Sequence, residues 1–191
     1  MKFGRVLRDS ADCSPDLPEL RALFDAYKQL KKQVKAIPVV GAASTTLAAE
    51  QLAFGASLGG VVARLNDMWL EKEETSVIRV EALEAALAGA GRDVARLDAL
   101  RRELTDFHGE VLLLVHWSIL AYTATVKLLK KHHKRTGLLL NAPLGNLLSQ
   151  PFCSTEVGAM GGTEGVTCGA KAALCIDGWL CDAAPWLADL H

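Results

Sequence analysis

Lys127, Lys130, Lys131 and Lys134 fall at i, i+3, i+4 and i+7 in a stretch of helical periodicity. On a helix that spacing gathers four ammonium groups on one face. Like charges so placed repel by a few tenths of a kcal/mol per pair, about what an opposed pair gains. No Asp or Glu lies between residues 127 and 135 to relieve them, so a bound polyanion would. The same run also fits a solvated basic helix end that complements the macrodipole.

A second group lies near the N-terminus. Tyr27 and Lys31 are four apart and share a helix face, with Lys28, Lys32 and Lys35 on an adjacent stripe. A phenol donates a hydrogen bond to a phosphate oxygen, and lysine supplies a compact point charge without the planar fork of arginine. Tyr27 fits equally well as a core aromatic whose hydroxyl reaches the surface. Phosphate chemistry requires the two basic helices to meet.

Other candidate chemistry is weaker. Cys153, Cys168, Cys175 and Cys181 are irregularly spaced and form no Cys-x-x-Cys pair, so no metal site is expected. His132 and His133 are adjacent and point apart on a helix. His108 and Glu110, two apart, do not share a face. A phosphate-binding glycine loop and a nucleophile elbow are both missing. No catalytic residue, cofactor or enzymatic activity is expected.

These side chains must be carried by helices. Pro18 marks the first turn of a helix of about five turns, with Asp16 as expected N-cap and Pro38 as stop. Residues 41–46 are small and read as a flexible connection into a much longer helix. Along that helix Val61, Val62, Leu65, Met68, Trp69, Val80, Leu83 and Leu87 keep helical spacing. Gly89-Ala90-Gly91 interrupts it. A second long helix starts near Arg92, carries Val94, Leu97, Leu104, Phe107, Val111 and Leu114 near one stripe, and stops at Gly137. Two such helices joined by a few residues must lie antiparallel. The expected fold is all-α, a helical bundle with coiled-coil character, and no run alternates as a strand would.

Composition agrees. The chain has 191 residues, 50% of them hydrophobic, enough for one sizeable core and not for two full domains. Lys and Arg number 21 against 22 Asp and Glu, a net charge of −1, so attraction for an anion must come from local clustering. Five cysteines behind an N-terminus without an apolar leader suggest a reducing intracellular compartment. Two apolar runs, residues 39–63 and 111–126, are not read as membrane spans. The first contains Glu50 and many small residues, and the second is shorter than the ~20 residues a span requires. From residue 157 the chain is rich in Gly and Ala and reads as a weakly structured appendix whose Trp179, Leu180 and Trp186 could dock on the bundle.

Several blocks together resemble the SPX domain. They are Met1-Lys2-Phe3-Gly4, Leu17-Pro18-Glu19-Leu20-Arg21 running into Tyr27-Lys28-Gln29-Leu30-Lys31-Lys32, and Leu70-Glu71-Lys72-Glu73-Glu74. Asp106-Phe107-His108-Gly109-Glu110 and the stretch from Lys127 to Gly137 complete the set. They occur in family order over residues 1–156, leaving 157–191 as the tail. The Asp-Phe-His-Gly-Glu block and Gln150-Pro151-Phe152 are similar to the stand-alone plant and green-algal members in particular.

The resemblance implies an N-terminal helical hairpin packed on two long antiparallel helices. It also implies a sensor that binds inositol polyphosphates, above all inositol pyrophosphates. By the same resemblance, Tyr27, Lys31 and Lys131 match the central phosphate contacts. Lys127, Lys130 and Lys134 match the surrounding lysine surface, and Lys2 matches a basic residue near the N-terminus. The implied partner is a Myb-type phosphate-starvation transcription factor with a coiled coil, in the nucleus or cytoplasm. Direct binding to nucleic acid or membrane is not expected. An alternative is the regulatory front end of a phosphate transporter or polyphosphate polymerase.

The chain departs from the family at Ala121 and Ala124, where Asn and Gly are usual, and at His133, where Asp is usual. Replacing the acid makes the surface more positive, and a histidine there gains charge in mild acid. Inositol polyphosphate should therefore bind slightly tighter at about pH 6 than at about pH 7.5. Titration calorimetry at the two pH values checks this, and equal affinities contradict it.

Overall fold

The computed structural model describes residues 2–15, 17–38, 46–138, 140 and 150–153. They form four helices: α1 (Phe3–Cys13), α2 (Pro18–Ala36), α3 (Thr46–Ala90) and α4 (Val94–Thr136). No strand occurs among the described residues. The connection at 41–45 and the whole tail, with Trp179, Leu180, Trp186 and three of the cysteines, lie outside them. The chain divides into two units, described separately.

The first unit contains Met1–Trp69 and His116–Ser154. Its α1 folds back on α2, as shown by the Phe3–Tyr27 ring contact at one end and the Arg21–Asp12 ion pair at the other. α1 buries Leu7 and Ala11, and α2 buries Leu20, Leu23, Tyr27, Leu30 and Val34, all at three- or four-residue intervals. Helix α2 begins at Pro18, whose fixed φ suits the first helical position. The N-cap is Leu17 and not the expected Asp16, and it makes no side-chain cap bond. The proline explains this: it holds the residue before it out of helical geometry, and Leu17 sits at φ −114°, ψ 80°.

In this unit α3 and α4 are antiparallel, since Phe54 stacks on His132 and Trp69 on Trp117. By contrast α2 runs parallel to α4. Trp117 Nε1 donates to the Glu19 carbonyl, and Arg135 Nε donates to the Ile37 carbonyl just beyond α2. Buried positions of α4 here include Trp117, Ala121, Thr125, Leu128 and His132, spaced largely as a heptad seam. Gly137, at φ +70°, ends the helix, with its N–H on the His133 carbonyl at 2.8 Å. Phe152 is buried on Trp117, and its carbonyl accepts from Ser118 Oγ at 2.5 Å. Burial pushes the neighbouring Cys153 thiol up to about 12, which keeps it an unreactive thiol.

The second unit contains Leu70–Val115. Its described part is a hairpin of the α3 end on the α4 start, with Leu83, Phe107 and Val111 buried together and Val80, Leu100 and Leu104 packed around them. Arg79 lies 5.0 Å from the Phe107 ring centroid and pairs with Glu110 at 2.7 Å. Gly91, at φ +57°, makes the turn. The Asp93 carboxylate then accepts from the Ala95 and Arg96 N–H groups and caps α4. Val94, expected on the apolar stripe, is 55% exposed, because the first turn precedes the packed seam.

Among the described residues α4 is the one helix long and apolar enough to cross a membrane by length and composition. Within it Trp117, Leu120, Ala121 and Ala124 are buried in the first unit.

His132 is a titratable group in the core. It is 1% exposed, its Nδ1 is 3.4 Å from Thr136 Oγ1, and its Nε2 has no hydrogen-bond partner among the described residues. Burial lowers its pKa, and nearby His133 adds to that, against an opposing backbone hydrogen bond at Leu138. An unfolded chain therefore binds a proton here at a pH where the folded one does not. Stability should fall as pH drops below about 6.5 toward the lower folded value. Thermal unfolding at about pH 7.5 and about pH 5.5 should show this loss, reduced in His132→Leu. An equal loss in the variant contradicts the assignment.

Candidate functional site

The candidate site lies wholly in the first unit, at the C-terminal ends of α2 and α4, which the parallel packing places side by side. Lys127, Lys130, Lys131 and Lys134 are all exposed, while Leu128, Leu129 and His132 between them and Thr136 just beyond are buried. The lysine face read from the spacing is therefore the outer face of the last α4 turns. His132 and His133 point apart as expected, one into the core and one to solvent.

Two ammonium groups of α2 bear on one of α4. The Lys131 pKa is lowered first by desolvation and then by the charges of Lys31 and Lys35 on α2. Lys31 is thus close enough for its charge to act on Lys131. Lys35 was visible in the sequence only as part of an adjacent stripe. Its position, one turn beyond Lys31, could have marked it once α2 and α4 were known to be parallel.

Tyr27 joins this group through its ring. It is 4% exposed, more deeply buried than a surface phenol, and burial raises its pKa. Its hydroxyl stays protonated at neutral pH and remains a donor. Lys31 Nζ stands 6.0 Å from the Tyr27 ring centroid. On α1 the Phe3 ring meets Tyr27 edge to face, with centroids 5.4 Å apart, and Lys127 Nζ lies 4.9 Å from the Phe3 centroid. Sequence reasoning did not single out Phe3 as a site residue, since nothing in its local spacing shows that α1 reaches α4.

Lys2 is exposed at the N-cap of α1, next to Phe3. Lys130 and Lys134 extend the basic face of α4. Arg135 is turned to a different task, donating to the Ile37 carbonyl and so fastening the two helix ends. Among the described residues no cluster of three His, Cys, Asp or Glu could hold a metal ion. The arrangement is a cationic surface with aromatic supports, suited to holding a multiply charged anion.

No protein-family model matches the chain. Individual proteins do. The chain is 38% identical over 158 residues to SPX domain-containing protein 6 of Oryza sativa subsp. japonica. It is 36% identical over 169 residues to SPX domain-containing protein 1 of Arabidopsis thaliana and 39% identical over 166 residues to SPX domain-containing protein 3 of Oryza sativa subsp. indica. Each match covers 82% of this chain and 64%, 65% and 59% of the respective relative, so the chain spans less than two thirds of their length. The four-helix architecture and the matches to these proteins agree with the motif blocks, and the chain belongs to the SPX domain proteins.

Proposed function

We propose that this chain is an intracellular phosphate-status sensor. It binds inositol polyphosphates, above all inositol pyrophosphates, on the basic surface of α2 and α4, and the loaded domain regulates a partner protein. The observation that carries this reading is the parallel packing of the C-terminal ends of α2 and α4, which brings the charges of Lys31 and Lys35 to bear on Lys131. A fold that holds like charges together at a surface leaves free energy to be recovered when an anion neutralises them.

The resemblance to the SPX domain implies the ligand class, and the chemistry of the surface accommodates it. Cations on two helices call for an anion with charges spread over its own perimeter, which a ring carrying several phosphates supplies. Tyr27, Lys31 and Lys131 take the central phosphates, with Lys127, Lys130, Lys134 and Lys2 around them. The partner is a Myb-type phosphate-starvation transcription factor with a coiled coil, and the complex forms in the nucleus or cytoplasm. Ligand promotes that complex only if it binds the complexed form more tightly than the free one. The relatives are named for the SPX domain itself, which favours this reading over the front end of a transporter or polymerase.

Calorimetric titration of the full chain with an inositol pyrophosphate should show micromolar or tighter binding, weakening as salt rises and screens the charges. Lys31→Ala and Lys131→Ala should each lower affinity by about tenfold or more, as expected for losing a hydrogen bond to a charged group. No binding by folded wild-type protein contradicts the proposal. A second expectation concerns the empty domain. The folded-state pKa of Lys131 lies below its unfolded value, so its charged form costs stability at neutral pH. The cost is relieved as pH rises through the folded value toward about 10.5. Lys131→Met should therefore raise the melting temperature of the ligand-free protein while weakening the ligand. A lowered melting temperature would mean that Lys131 serves the fold.

A further inference from the structure

Helix α1 reaches the basic surface through Phe3. Its half-buried ring stands between Tyr27, edge to face at an interplanar angle of 81°, and the Lys127 ammonium. With Lys31 near the other ring, the series Lys31, Tyr27, Phe3, Lys127 runs cation, ring, ring, cation across three helices. Lys127 is otherwise an exposed side chain on a four-carbon stem, with no Asp or Glu partner among the described residues. A cation near a ring is attracted by the ring quadrupole and loses part of its rotamer freedom before any ligand arrives.

We propose that Phe3 is a positioning residue of the anion site: its ring holds Lys127 near Tyr27 and Lys31, so that docking of α1 and preorganisation of the site are one event. The proposal rests on the function given above. It assigns Phe3 no contact with the ligand. Its effect is to reduce the ordering that binding must otherwise impose on Lys127. The coupling is reciprocal: an anion that favours the placed Lys127 also favours α1 docked on α2. Leu7, Ala11 and the Asp12–Arg21 pair hold the rest of α1, so exchanging one aliphatic group for the Phe3 ring leaves the helix its main anchors.

The test is calorimetric titration of the full chain with inositol hexakisphosphate, using Phe3→Leu, Phe3→Tyr, Lys127→Met and the Phe3→Leu/Lys127→Met pair, with helix content checked by circular dichroism. Phe3→Leu should weaken binding about two- to fivefold, the loss expected for one solvent-exposed cation–π contact. Phe3→Tyr should bind as wild type, and the double variant no more weakly than Lys127→Met alone. Additive losses in the double variant, or unchanged affinity in Phe3→Leu, overturn the proposal and leave the proposed function standing. Wild-type protein that takes up no inositol hexakisphosphate overturns both. Should Phe3→Leu lose helix, proton NMR of the ligand-free wild type decides instead. The Lys127 methylene protons beside the ammonium should lie upfield in the ring current of Phe3, and unshifted protons overturn the proposal.

Discussion

Holding the C-terminal ends of two basic helices together is the constraint on which the first unit depends. Coulomb repulsion between ammonium groups about 4 Å apart is on the order of 1 kcal/mol in water and larger where water is partly excluded. Fully burying one leucine side chain contributes about 1.5–3 kcal/mol. Leu30 and Val34 on α2, Ile37 at its C-cap, and Leu128 and Leu129 on α4 are all buried, so apolar burial outweighs the repulsion by number alone. Register is a separate matter, and the Arg135 bond to the Ile37 carbonyl sets it.

Parallel packing of α2 and α4 also brings two macrodipole C-termini together. The partial negative charges there favour cations, and both ends are supplied: Lys35 in the last turn of α2, and His133, Lys134 and Arg135 in that of α4. The same polarity disfavours an anion near the backbone. A site for phosphate at this place must therefore work through long side chains, unlike helix N-terminal sites whose N–H groups bind phosphate directly. Four exposed lysines on α4, three of them five or more residues before its last helical residue, fit that requirement.

Much of this was legible in the sequence, because helical periodicity and charge spacing are local. The two long helices, their stop at Gly137, the lysine face and the opposite directions of His132 and His133 all follow from residue spacing. What escaped was set by tertiary contact. Phe3 acquires meaning only when α1 folds back on α2 and meets α4, and Lys35 only when α2 lies parallel to α4. The cap at Leu17 escaped for a smaller reason, since Pro18 fixes the helix start before any side-chain cap can. Val94 shows the reverse error, a periodic apolar residue in a turn that the seam does not reach.

The lysines of the site are not equivalent. Lys31 and Lys127 lie near aromatic rings, contacts that attract the ammonium and restrict where it sits. Lys131 faces two cations and is partly desolvated, so its charge is disfavoured in the empty domain. A polyanion arriving at this surface gains least where lysine is already satisfied and most where it is frustrated. Under the proposed function the aromatic pair would supply geometry, and Lys131 would supply a change in free energy between the empty and loaded states. Only a difference of that kind allows a ligand to shift a protein between two forms. His132, buried one residue further along the same helix, ties this position to the core through its stack on Phe54, so movement of Lys131 along the helix is resisted by packing.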